Sequence, residues 1–179
     1  MSNFRKVFRK RGQSGEFLID GSLAVVMLFG VVMLPCADLA TLGLRHVFLS
    51  AAARNAVHVA SKAKTFQVSL KKPSATEIAE QVAKSTAQGF SGIDVEKVET
   101  TILATNLETQ ETTRYTGPLP IPADTSSYVY NIETVIEAKV HPLFTLNKDI
   151  LGSIPGMTVP MEGRASAQEF CEHTQGLNF

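Results

Sequence analysis

The side chains best suited to metal binding, acid–base or nucleophilic work in this 179-residue chain are four histidines (His46, His58, His141 and His173) and two cysteines (Cys36 and Cys171). No histidine stands at metal-ligand spacing from another or from a carboxylate. Cys171-Glu172-His173 alone brings two soft ligands close together, and two ligands do not make a tetrahedral site. A glycine-rich phosphate loop, a nucleophile elbow and a zinc-protease helix motif are missing from the sequence. The Tyr128/Tyr130 pair reads as core or interface packing. No cofactor, metal or catalytic set is indicated, and a non-enzymatic chain is expected.

The carboxylates that stand out are Glu16 and Asp20. Five positive charges (Arg5, Lys6, Arg9, Lys10 and Arg11) precede them, and after Asp20 no charge occurs until Asp38. The run Gly21–Ala37 is almost wholly apolar. As a helix, Phe17–Leu44 would reach about 42 Å, longer than a hydrocarbon core of about 30 Å. The uncharged part alone is shorter than an ideal span, so Asp20 and Asp38 are expected near the two interfaces. An acid at the start of a membrane helix costs up to about 2.5–3.5 kcal/mol at depth, and so calls for a partner. A cut after a glycine in Gly12-Gln13-Ser14-Gly15 would supply one. The new α-amino group would be neutralised by a carboxylate one turn along, in the same or an adjacent subunit. The other reading is that Glu16 and Asp20 simply lie among the headgroups.

Basic residues just before an apolar span hold the N-terminus in the cytoplasm and place the rest of the chain outside. A cleaved secretory signal has the same basic and apolar regions. Against it, the apolar run is long and the sequence beyond continues as helix. A lipid-modified Cys36 is opposed by Pro35 before it. Cys36 and Cys171 are too few and too distant to be a disulfide framework, and free thiols are expected. Without the leader the body carries twelve basic and seventeen acidic residues, formally −5. A mildly acidic body argues against nucleic-acid binding.

The elements follow from periodicity. Leu44, Val47, Phe48, Ala51 and Ala52 continue a helical stripe, with Arg45, Arg54 and Asn55 toward solvent, to about Lys64. Ser74-Ala75-Thr76-Glu77 is a capping box opening a short helix that ends near Gly89. The period changes to two from Ile93. Val98, Thr100, Ile102 and Ala104 share a face, and a bulge or turn near Glu96 reconciles them with Ile93 and Val95. Thr112–Thr116 closes a hairpin through Asn106–Gln110. Tyr128 to Val140 is the clearest strand, ended by Pro142. Met157, Val159, Met161, Gly163, Ala165 and Ala167 alternate as a last strand. The class is α+β: a long N-terminal transmembrane helix continuing as an amphipathic helix, then a short helix and a small antiparallel sheet. The expected division is a basic cytoplasmic leader (1–15), the transmembrane and emerging helix (16–66) and an extracytoplasmic α+β domain (67–179).

The basic leader, Arg11-Gly12-Gln13-Ser14-Gly15-Glu16-Phe17, the apolar helix and the alanine-rich helix after Asp38 resemble the TadE-like pseudopilins of the tight-adherence (Flp) pilus machinery. The C-terminal part is similar too, in Val140-His141-Pro142-Leu143-Phe144 and in Arg164-Ala165-Ser166-Ala167 to Glu169. Residues 65–125 match only in general character. The resemblance implies a minor pilin-like structural component in the bacterial inner membrane with a periplasmic head, cleaved by a prepilin peptidase. Implied partners are other pseudopilins, a major pilin, the inner-membrane assembly platform and the lipid bilayer. Cleavage after Gly15 leaves Glu16 first and Asp20 fifth, and cleavage after Gly12 leaves Gln13 first and Glu16 fourth. The alternative is an unprocessed single-pass anchor carrying a periplasmic binding or sensing module.

Overall fold

The computed structural model describes residues 21–67 and 73–179. One helix, α1, runs without a break from Gly21 to Ala60, about 60 Å of axis. Within it Leu28–Met33 takes the wider π-helical hydrogen bonding. Pro35 follows directly. A helix-interior proline removes an N–H and crowds the carbonyl four residues earlier, here that of Val31. Widening the preceding turn is a known way for a helix to absorb such a residue.

After the capping box at Ser74 comes α2 (Ala75–Gln88). Four strands follow, β1 (Ile93–Asn106), β2 (Thr112–Tyr115), β3 (Tyr128–Val140) and β4 (Met161–Phe170), with a single helical turn, α3 (Lys148–Leu151), between the last two. The sheet is antiparallel throughout, in the order β2-β1-β3-β4. The pairing of β1 with β3 shifts between Val95 and Lys97, a bulge at Glu96. That extra residue lets Ile93 and Val98 face the same core.

The C-terminal half of α1 and all of α2 cover one face of the sheet. Alanines make much of this contact: Ala52, Ala53 and Ala56 on α1 with Ala83 and Ala87 on α2, above Ile136, Ala138 and Ala165 of the sheet. Side chains this small let two helices and a sheet approach closely. A second cluster at the other end joins Val57, Ala60, Phe66, Ala79, Ile102, Tyr130, Ile132, Cys171 and Leu177.

Three expectations need correction. The buried stripe of α1 is Asp38, Leu42, Leu49, Ala52, Ala53, Ala56, Val57 and Ala60, while Leu44 (59 % exposed) and Val47 (61 %) face outward. The emerging helix is apolar on both faces, so periodicity alone does not choose between them. It also stops at Ala60, not near Lys64: the Ser61 carbonyl accepts the Glu172 N–H at 3.1 Å, and the Lys62 and Ala63 amides bond three residues back. Finally, β4 begins at Met161. Met157 and Val159 belong to a turn, in which Gly156 has φ +81° and the Thr158 hydroxyl accepts the Ile154 N–H at 2.7 Å and donates to the Gly152 carbonyl at 2.9 Å.

Candidate functional site

Gly12, Gln13, Gly15, Glu16 and Asp20, the residues of the candidate cleavage and assembly site, lie outside the described residues. What the structure does place is the helix that follows them. Every residue from Gly21 to Leu34 is exposed, including Leu23, Val25, Val26, Met27, Leu28, Phe29, Val31, Val32 and Met33. A core helix would bury such side chains, and this one projects them all from the head. Among the described residues α1 is the one helix long and apolar enough to cross a membrane. A Cβ built at Gly21, Gly30 or Gly43 meets nothing within 4 Å, so these positions leave the helix surface open.

The bare helix becomes a packed one at Asp38. Asp38, Leu42, Arg45 and Leu49 lie at spacings of four, three and four on one face, and each receives a different part of the head. Asp38 stands at the far end of the uncharged run, as its sequence position suggests, but it is only 1 % exposed. Its Oδ1 accepts the Phe144 N–H at 2.8 Å, while Oδ2 has no hydrogen-bond partner. Leu42 lies under Gly156, where a Cβ would come within 2.8 Å of its Cδ1. Leu49 lies against Gly163 of β4, 3.2 Å from a Cβ built there.

Arg45 is the second ionisable group of this junction. Its Nε donates to the Ser91 carbonyl at 3.0 Å and a terminal nitrogen donates to the His141 carbonyl. The guanidinium thus ties the turn before β1 to the loop after β3. Gly92 makes this possible: its φ is +84°, and a Cβ there would sit 2.5 Å from the guanidinium carbon. The His141 amide bonds the Gly92 carbonyl at 2.9 Å, and its Nε2 meets Asp94 Oδ2 at 2.8 Å. The sequence reading assigned Arg45 to solvent. Its four-three-four spacing with Asp38, Leu42 and Leu49 is the signal that identifies this face.

The other ionisable groups are dispersed. His58 has both ring nitrogens engaged, Nδ1 with Glu169 Oε1 at 2.7 Å and Nε2 with Lys62 Nζ at 2.9 Å, which joins α1 to β4. On the uncovered face of the sheet, buried Glu133 meets Arg114 at 2.6 Å, Thr101 at 3.3 Å and Gln168 at 3.4 Å, linking all four strands. Glu99 and Lys97 pair at 2.5 Å and Lys139 pairs with Glu96. Their mutual hydrogen bond and attraction lower the Glu99 pKa and raise that of Lys97, and Glu96 raises that of Lys139. Exposed pairs of this kind contribute little stability.

Cys36 and Cys171 are free and do not meet: Cys36 is exposed on the bare helix and Cys171 is buried in the core. Burial pushes the Cys171 thiol above its ordinary value. His173 is exposed, so the Cys171-Glu172-His173 fragment is divided between core and surface. Among the described residues no group of three or more His, Cys, Asp or Glu side chains is arranged to hold a metal ion. Comparison with known proteins finds no matching family model, no matching curated protein and no matching solved structure.

Proposed function

We propose that this chain is a minor pilin-like component of a Flp-type pilus or related secretion apparatus. Its helix is anchored in the bacterial inner membrane, its N-terminus is cytoplasmic and its head is periplasmic. The observation that carries this reading is the division of α1. Its first half is bare and apolar, and its second half is built into the head without an intervening break. A signal peptidase acting between the two would have to cut inside a continuous helix, which argues for an anchor over a discarded signal.

A structural role also fits the outward face of the emerging helix. Cys36, Leu39, Ala40, Gly43, Leu44, Val47 and Ala51 are exposed and carry no charge. They continue the apolar surface of the span beyond Asp38 along the side opposite the head contacts. Small and apolar residues in such a stripe suit close packing against helices of similar proteins. The partners are other pseudopilins, a major pilin and the assembly platform, and the role requires no catalysis.

A binding module on an unprocessed anchor is the second reading. It is supported by a groove of about 90 Å³ between Ala104, Tyr115, Leu119, Ile121, Tyr128 and Tyr130, at the end of the head farthest from the bare helix.

The N-terminal sequence and intact mass of the protein from membranes, with and without its prepilin peptidase, separate the two. A peptidase-dependent start at Glu16 or Gln13 is expected. An unprocessed start in both strains, with wild-type piliation in Glu16→Ala and Asp20→Ala, would refute the pilin-like role.

A further inference from the structure

We propose that the loop after β3, through Leu143 and Phe144, inserts into the outer hydrocarbon–headgroup boundary of the membrane that α1 crosses. The proposal rests on the membrane reading of α1. The uncharged run Gly21–Ala37 is about 26 Å as a helix, shorter than a core of about 30 Å. With the core centred on this run, its outer boundary falls at Asp38 or its immediate neighbours. Asp38 is not itself offered to the headgroups, because the loop lies over it and the Phe144 amide is bonded to its carboxylate. Whatever depth Asp38 takes, the loop takes too.

The composition of the loop suits that depth. Residues 142–160 contain two charges, Lys148 and Asp149, and otherwise carry Leu, Phe, Ile, Met, Val and small or polar residues. Leu143 is 50 % exposed and Phe144 43 %, at a level about one helical turn from the last bare residue, Leu34. Exposed aromatic and aliphatic side chains at the plane where a span ends are those a boundary region receives. The loop would then hold the head at a fixed height and tilt on the bilayer, the second contact of a body otherwise held by one helix.

The chain contains no tryptophan, so single substitutions give clean probes. Full-length Phe144→Trp, Leu143→Trp, Val26→Trp and Ile121→Trp would each be placed in phosphatidylcholine nanodiscs at one copy per disc, with and without shallow dibrominated lipid. Val26 lies in the bare helix, and Ile121, 69 % exposed, lies at the far end of the head. Blue-shifted emission and strong quenching are expected for Val26→Trp and for at least one of the two loop variants, and neither for Ile121→Trp. Quenching of Val26→Trp with both loop variants unaffected would overturn the proposal and leave the anchor standing. Absence of quenching in all four would overturn the anchor itself. Quenching of Ile121→Trp as well would show the whole head lying on the bilayer, against a contact through this loop. A blue shift in the loop variants seen only at several copies per disc, without quenching, would assign the surface to a second copy.

Discussion

Replacing Asp38 tests the junction at the point where helix and loop meet. Two effects of opposite sign act there. The carboxylate accepts the Phe144 N–H at 2.8 Å, and a hydrogen bond to a charged group contributes about 1.5–3 kcal/mol. Against this, the group is 1 % exposed with Oδ2 unpartnered, and burying an ionised carboxylate without full hydrogen bonding costs several kcal/mol. Asp38→Ala removes both terms and leaves the Phe144 amide without an acceptor. Asp38→Asn keeps an oxygen for the amide and removes the charge. The loop is therefore expected to open in the alanine variant and stay closed in the asparagine variant, which should be at least as thermally stable as the parent. Hydrogen exchange of a peptide covering Phe144, measured on the full chain in nanodiscs, reads this directly. A loss of about 1.5–3 kcal/mol speeds exchange by roughly ten- to a hundredfold at 1.4 kcal/mol per decade. Unchanged exchange in Asp38→Ala would show that the carboxylate does not hold the loop. Equal loosening in Asp38→Asn would show that the amide oxygen does not replace the carboxylate as acceptor for the Phe144 N–H.

The alanine contact between the two helices predicts the effect of added volume. Ala83→Leu puts an isobutyl group against Ala52, Ala53 and Ala56, and should lower stability by about 1–3 kcal/mol, seen as a lower unfolding midpoint. The same substitution at exposed Ala51 should leave the midpoint unchanged. For pH, burial keeps the Cys171 thiol protonated in the fold at values where an unfolded thiol ionises. Its contribution is thus fully present below the unfolded value, about 8.5, and is lost as pH rises through the higher folded value. Between those two values Cys171→Ala should show a shallower fall in midpoint with pH than the parent. A parallel fall would exclude the thiol as its source.

How legible each part was depends on how locally it is determined. The capping box is set by residues three apart, and Ser74 Oγ and Glu77 do exchange bonds with each other's amides. The Glu96 bulge announced itself as a phase slip between two alternating runs, and the Asn106–Gln110 turn is closed by the Asn106 side chain on the amides of Glu108 and Thr109. Misreadings arose where a distant segment decides. The end of α1 depends on the Glu172 amide, more than a hundred residues away. Met157 and Val159 alternate like strand residues, but Pro155 and Pro160 bracket them and the Thr158 hydroxyl ties the turn together. Arg45 looked like a solvent residue because its acceptors are backbone carbonyls, which no side-chain pattern reveals. For the site itself, the expected cleavage falls before Gly21, outside the described residues, and the structure contributes the helix that follows.

The apolar character of both faces of the emerging helix, which obscured the reading of its buried stripe, is also its most informative property. A helix that serves only a head needs one apolar face and gains solubility from charge on the other. Residues Asp38 to Ala53 depart from that rule. Their inner face is filled by the head, and the outer one still offers Leu39, Leu44 and Val47 to the surroundings. The charged side chains of that stretch, Asp38 and Arg45, are both turned inward and spent on backbone groups of the loops. Solvent exposure gives no reason to keep an uncharged outer face over four turns while placing the available charges inside. The proposed packing against other apolar helices would supply one, and the first charge to face outward, Arg54, would then mark the height at which it ends.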